Sequence, residues 1–561
     1  MDRRTFLRGI GWVSGSALLP LLTSCDSSEV LSGGTDGNDI SAEFLHGVAS
    51  GDPLADRVIL WTRVTPERNA PVRVRYRVAR DPLLAEVLID AYVITDESRD
   101  FTVKVDAAGL QAATTYYYQF ETGSLRSPIG RTKTLPVGAV ERLRFAFTSC
   151  SNYPAGYFSA YRHMAARTDL DAVFHLGDYL YEGGGGGVDG RDHSKGAEIV
   201  TLDDYRARHA QYRGDQDLQA MTRQHPMICV WDDHESTNDS WNGGAQNHQP
   251  DTEGDWFERK SVSIQAYFEW LPIRLVDPAD TQRIWRQFVF GDLVDLMMLD
   301  TRLYGREEQV PQAVIGEVND PNRQLLGDRQ QDWLSARLVE SAARWKLLGQ
   351  QIMFGQLRLL TLPQVDLLGV ELVDELLAIN ADQWDGYPAA RQRVFDAIDA
   401  GQVQNLVVLT GDIHTSWGID LFRDPGELAN LLANTIGDPL DLGLIKADGV
   451  EFVSPSVTSS GFPDGTTPLV RAVFGLTDPH VKYFDGERHG YVLLDITHDR
   501  CQGEWWYVDS IIDPQAAESF GHARYTLSGE SRLREAAEPS TPRLEAPPPA
   551  PGLTLKLGTI R

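Results

Sequence analysis

Five apolar runs in this chain end in the same way. "LRFAFTSC" stops at Cys150, "DAVFHLGD" at Asp178, "MICVWDDHE" at Asp232, Asp233 and His234, "LVDLMMLD" at Asp300, and "NLVVLTGDIH" at Asp412 and His414. Short, continuously apolar runs are strands buried on both faces, and such strands need a mainly parallel sheet covered by helices. Helical periodicity at 157–167, 256–270 and 330–343 supplies those helices. In such sheets ligands gather beyond the carboxyl ends of the strands. Each terminal residue has a plain role when taken alone. An Asp caps the next helix, Cys150 fills a core as a small hydrophobe, and His414 sits as a hydrogen-bonded histidine. Taken together, carboxylates crowded into a dry site could not all stay ionised. Cations of high charge resolve that conflict.

A length of 561 residues implies several domains. Residues 43–136 hold short alternating strands divided by turn residues, the pattern of a small Ig-like β-sandwich. Residues 138–525 carry the apolar runs and form the α/β domain. Residues 526–561 are a Pro-rich tail, expected to be extended or disordered. Residues 26–42 are a Ser/Gly/Asp-rich tether. The stretches 361–383 and 424–449 read as insertions to which the sequence gives no purpose.

Residues 1–25 open with Arg3-Arg4, then an apolar run that ends in small residues. That is the pattern of an export signal read by the twin-arginine translocation machinery. The expected location is periplasmic or extracellular. Leu22-Thr23-Ser24-Cys25 matches a lipoprotein box, which would make a lipidated Cys25 a membrane anchor. A formal net charge of −28 argues against a nucleic-acid-binding surface. Four cysteines in a chain of this size are not a disulfide framework.

Gly177-Asp178 followed three on by Tyr181, then Asp233-His234-Glu235, then Gly411-Asp412-x-His414 resemble the motifs of dinuclear metallophosphatases. Those read Gly-Asp-x-x-Tyr, Gly-Asn-His-Glu and Gly-His-x-His. Asp233 and Asp412 depart from them, and with Cys150 those departures resemble the PhoD-type alkaline phosphatase family. "GVASGDPLADRVILWTRVTP" is similar to its N-terminal domain. "VWDDHE", "NHQPDTEGDW", "LDTRLYGRE", "DQWDGYP", "GDIHTSW" and "EFVSPSVTSSG" are similar to its catalytic domain.

The resemblance implies an Ig-like β-sandwich followed by a four-layer α/β/β/α metallophosphatase-like domain. It also implies a phosphoric ester hydrolase of alkaline phosphatase type, with Fe3+ and one or two Ca2+ ions. A ferric ion suits thiolate, carboxylate and phenolate, so its expected ligands are Cys150, Asp178, Tyr181 and either Asp412 or His414. Asp178 would bridge to calcium, a hard cation, with Asp233 and Asn238 completing that side. The expected chemistry is attack of a metal-bound hydroxide on phosphorus. His234 would protonate or stabilise the leaving oxygen, and Arg274 or Arg302 would clamp the phosphate. The five glycines at 183–187 are expected to form a loop free to bend away from the site. The phosphate ester could be a monoester or a diester, including phospholipid headgroups, as in a phospholipase D-like enzyme, or wall polymers. A non-catalytic surface binding protein with a structural metal is the reading of a different class.

Overall fold

The computed structural model describes residues 40–188, 190–310, 318–357, 381–427 and 447–552. The export signal, Cys25 and most of the tether lie outside the described residues. So do most of both insertions and residues 553–561.

The apolar runs form the centres of two sheets. Strands Arg142–Thr148, Ala172–His175 and Pro226–Cys229 pair in parallel within a ten-stranded sheet. Strands Val294–Met298, Trp345–Gly349, Leu406–Thr410 and Gly449–Val453 pair in parallel within a seven-stranded sheet. Side chains divide by parity along each strand, as a pleated backbone requires. Val407 and Leu409 pack with Phe145, Phe147, Leu296 and Leu347 in the core between the sheets. Leu406 and Val408 face the other way, onto Leu334 and Leu338 of helix Gly327–Glu340 and Val394 and Ile398 of helix Pro388–Gly401. Helices Ser159–Ala166, Gln216–Gln224 and Trp256–Trp270 cover the first sheet with Met164, Met221 and Phe268. The result is the four-layer α/β/β/α arrangement. Leu409 is fully buried, and truncating it to Ala would cost about 2–5 kcal/mol.

The N-terminal region is a β-sandwich, but one of its sheets is shared. Val72–Ala79, Val87–Thr95, Thr115–Thr122 and Gly130–Lys133 form one face. The opposing strands Val48–Gly51, Arg57–Arg63 and Thr102–Ala108 continue the ten-stranded sheet, because Val48–Gly51 pairs in parallel with Pro226–Cys229. A Cβ on Gly51 would lie 2.5 Å from the carbonyls of Met227 and Pro272, so only glycine fits this seam. Beside it Asp52 takes a bidentate pair from buried Arg286, at 2.7 and 2.8 Å. The sequence boundary near 137 is therefore a change of pattern, while the sheet runs across it.

The tail also differs from expectation. Strand Glu518–Leu527 crosses the expected boundary, and Arg534–Ala536 adds the edge strand. Beyond it the chain is extended but held. The Ser540 amide donates to Glu504 at 2.6 Å, and Arg543 pairs with Asp171 at 2.6 Å. The Tyr117 hydroxyl of the sandwich donates to the Pro548 carbonyl at 2.7 Å. Prolines suit such a strap because it needs few backbone donors.

Candidate metal centre

Glycines let the strand ends meet. A Cβ on Gly177 would collide with the Asp232 Cβ, and one on Gly411 would lie 2.7 Å from the Ser149 side chain. Just beyond these contacts Cys150, Asp178, Asp412 and His414 have φ of 61°, 52°, 62° and 58°. Non-glycine residues held in this left-handed region cost on the order of 1–3 kcal/mol each and cluster at functional sites. Here the unusual backbone brings side chains from three strand ends into one region.

Those side chains form three overlapping groups. Ligand atoms of Cys150, Asp178 and His414 lie within 4.8 Å of one another. So do those of Asp178, Asp233 and His234, and those of Asp232, Asp233 and Asp412. Asp178 and Asp233 are each shared by two groups. Tyr181 joins the first, its hydroxyl 3.0 Å from Asp178 Oδ2 and 3.1 Å from His414 Nε2. His414 Nδ1 donates to the Ser460 carbonyl at 2.9 Å, which leaves Nε2 as the nitrogen for a ligand.

The electrostatics fit cations. Burial, opposed by His234 and reinforced by Asp233, Glu235 and Asp412, pushes Asp178 well above the usual carboxylate range. Burial does the same to Asp232 against the pull of Arg302, and it also raises Asp412. Burial and then the Asp178 charge raise the Cys150 thiol and the Tyr181 phenol. Asp178 Oδ1 and Asp232 Oδ2 are buried acceptors with no donor. Cations would favour the deprotonated form of all these groups and give the bare oxygens a partner. Thiol, phenol, imidazole and carboxylate together suit a transition ion, and the all-carboxylate group suits a harder one.

His234 and Arg302 also reach the centre. His234 Nδ1 is 2.6 Å from Glu182 Oε2, and its ring lies on that of Tyr181 with centroids 4.1 Å apart. Burial works against the imidazolium, but Glu182, Asp178 and Asp233 outweigh it and raise the His234 pKa well above the ordinary value. Burial alone would raise Glu182, yet His234 and the Asn238 amide hold it at about 2. Arg302 is fully engaged by carboxylates: Asp232 at 2.5 Å, Asp382 at 2.9 Å and Asp412 at 2.5 Å. It ties the acids together, and each of its three nitrogens holds a carboxylate with which a phosphate would have to compete.

Arg274 and the glycine loop depart from expectation. Arg274 is not at the centre; its guanidinium pairs with Asp106 and the Asp52 carbonyl at the seam with the sandwich. Nothing in "LPIR" distinguishes such an ion pair from a phosphate ligand. Asn238 lies at the rim of the centre, beside Glu182. Its amide donates to Glu182 at 2.8 Å and its side chain to Gln246 at 3.1 Å. The glycine loop does not bend away. A Cβ on Gly184 would strike the Gly196 backbone and one on Gly187 the Pro154 carbonyl. Gly183–Gly186 wall a cavity of about 350 Å3 that Tyr181, Glu182, His234 and Asn238 also line.

Residues without a role in the sequence reading complete the site. Glu235 accepts from the amides of Asp178, Tyr179 and Asp232 and pins two strand ends together. Asp382 and Gln383, in the "DQWDGYP" stretch, reach Arg302 and Asp412; Gln383 Nε2 is 2.6 Å from Asp412 Oδ2. Asp239, raised to about 7 by burial, Asp382 and Asp233, stands beside the carboxylate group. The polar run Asp232-Asp233-His234-Glu235 was the available signal for Glu235.

Comparisons with known proteins show the family. Residues 145–505 match the family model described as PhoD-like phosphatase, and residues 32–136 match that of its N-terminal domain. The chain is 36% identical over 542 residues to alkaline phosphatase D of Bacillus subtilis (strain 168), covering 92% of this chain and 86% of that protein. It superposes on a solved structure titled "Structure of PhoD" with a TM-score of 0.76 and 34% identity, covering 90% of this chain and 94% of that one.

Proposed function

Because this chain belongs to the PhoD-like phosphatase family and is a phosphoric ester hydrolase, we propose that it is an exported, metal-dependent enzyme of the alkaline phosphatase D type, with Fe3+ and one or two Ca2+ ions. The observation that carries the reading is the set of three ligand groups linked through Asp178 and Asp233. Cys150, Asp178, Tyr181 and His414 would hold the ferric ion. Asp178, Asp232, Asp233 and Asp412 would hold calcium.

Such ions, when bound, supply Lewis-acid polarisation of phosphoryl oxygens and lower the pKa of a water. The chain's own residues do the rest. Glu182 fixes Nδ1 of His234, so Nε2 is the nitrogen that can deliver a proton to the leaving oxygen. Arg302 holds Asp232 and Asp412 in register and limits their mutual repulsion. The cavity beside Tyr181 and His234 gives the alcohol portion of the ester a place next to that proton.

Assays on p-nitrophenyl phosphate and bis-p-nitrophenyl phosphate, with and without calcium, test the reading. Calcium-dependent hydrolysis of either supports it and assigns the monoester or diester preference. No turnover of either by iron- and calcium-replete protein would favour the non-catalytic binding protein. For localisation, Arg3→Lys with Arg4→Lys should retain the protein in the cytoplasm, and Cys25→Ala should release it from membranes. Undisturbed export of the first or unchanged fractionation of the second would refute the corresponding proposal.

A further inference from the structure

The end of the stretch "EFVSPSVTSSG" touches three of the four ligands assigned to iron. The Ser459 hydroxyl is buried, 2.6 Å from the Tyr181 hydroxyl and 3.0 Å from the Cys150 carbonyl. The next residue offers the carbonyl that accepts from His414. The segment is firmly placed. The Val457 amide donates to Ser149 at 3.0 Å, and the Ser456 and Thr458 hydroxyls donate to the Ser459 and Asn152 carbonyls at 2.5 and 2.7 Å. His489 Nε2 donates to the Ser459 carbonyl at 3.1 Å.

A hydroxyl has one proton, and Ser459 has two neighbours that could take it. While Tyr181 keeps its own proton, it can donate to Asp178 Oδ2, and the Ser459 proton can serve the Cys150 carbonyl. Coordination of Tyr181 releases the phenol proton to solvent and leaves a charged oxygen. A hydrogen bond to a charged acceptor is about twice as strong as one to a neutral carbonyl. The Cys150 carbonyl would not be stranded, because the amides of Thr458 and Ser459 both reach it at 3.3 Å.

From this arrangement we infer that Ser459 is a positioning residue that donates its hydroxyl proton to the Tyr181 oxygen once that oxygen binds a metal, setting the donor strength of the phenolate. The inference rests on the assignment of Tyr181 as a ligand. Losing the donor makes the phenolate a stronger electron donor, which lowers the energy of its charge transfer to a ferric ion. Without that hydrogen bond the deprotonated oxygen is also less firmly oriented and is more readily reprotonated, so metal retention falls; loss of such outer partners costs about 10–100-fold.

The test compares purified metal-loaded wild type with Ser459→Ala, Ser459→Thr and Ser456→Ala. Ser459→Ala should move the visible absorption band to longer wavelength and shorten metal retention against a chelator by about tenfold or more. Ser459→Thr keeps the hydroxyl and should restore both. Ser456→Ala loosens the segment without touching Tyr181 and should leave the band in place. A Ser459→Ala protein with wild-type band and retention, or a Ser456→Ala protein shifted as far, would overturn the inference. Chelator competition is informative whichever metal is held. A wild type lacking the band therefore contradicts the ferric assignment, while retention still decides the role of Ser459.

Discussion

Removing the Glu235 carboxylate should unfasten the two strand ends that carry Asp178 and Asp232. Oε2 accepts from the amides of Asp178 at 3.0 Å and Asp232 at 2.7 Å, and Oε1 from that of Tyr179 at 2.5 Å. The side chain is 2% exposed, so water cannot replace it without rearrangement. A buried donor left unpaired costs about 1–3 kcal/mol, so Glu235→Ala should cost about 3–9 kcal/mol. In Glu235→Gln the carbonyl can keep the two amides at the Oε2 position, while its NH2 faces the third. That variant should lose about 1–3 kcal/mol. The assay is urea unfolding of chelator-stripped protein near pH 8, above the value of about 7 to which burial raises Glu235. Wild type, Gln and Ala should unfold at successively lower urea. An Ala variant within about 1 kcal/mol of wild type, or a Gln variant as weak as Ala, would refute the reasoning.

Other consequences are as direct. His234→Ala should slow hydrolysis of alkyl phosphates by about a hundredfold or more and of p-nitrophenyl phosphate far less, with Glu182→Ala showing the same split more mildly; equal losses in kcat would deny the acid role. Cys150→Ser should keep the fold and calcium but lose iron, read by elemental analysis, because the soft thiolate is exchanged for a poorly acidic hydroxyl. Burial holds His175, His209 and His225 at about 3, below their unfolded value, so the unfolded chain takes up protons first as pH falls. Their stabilisation is complete above about pH 6.5 and should decline by about 2 kcal/mol each between about pH 7 and pH 5. Chemical unfolding across that range checks this, and His209→Phe should remove about 2 kcal/mol of the loss.

Much of the candidate centre was legible because most of its proposed ligands end apolar runs, and parallel strands bring such ends together whatever their separation in sequence. Cys150, Asp178, Asp233, Asp412 and His414 are of this kind. Glycine in Gly177-Asp178 and Gly411-Asp412 was legible as motif, while its cause, contact with Asp232 and Ser149, needed the packing. Arg274 misled because an arginine after a strand looks the same whether it meets phosphate or Asp106. Glu182, Asp382 and Ser459 escaped because their partners come from loops, where no periodicity marks the inward side. The sandwich was read correctly from its alternation. Its shared sheet was not, since parallel pairing of Val48–Gly51 with Pro226–Cys229 joins strands far apart in the chain.

The most direct test is an anomalous difference map at the iron edge from crystals of protein matured with its native metals. The account predicts one strong peak bonded by Cys150, Asp178, Tyr181 and His414, and non-iron density beside Asp178, Asp233 and Asp412. Iron bound elsewhere, or a Cys150–Tyr181 site filled by another metal or by none, would contradict it.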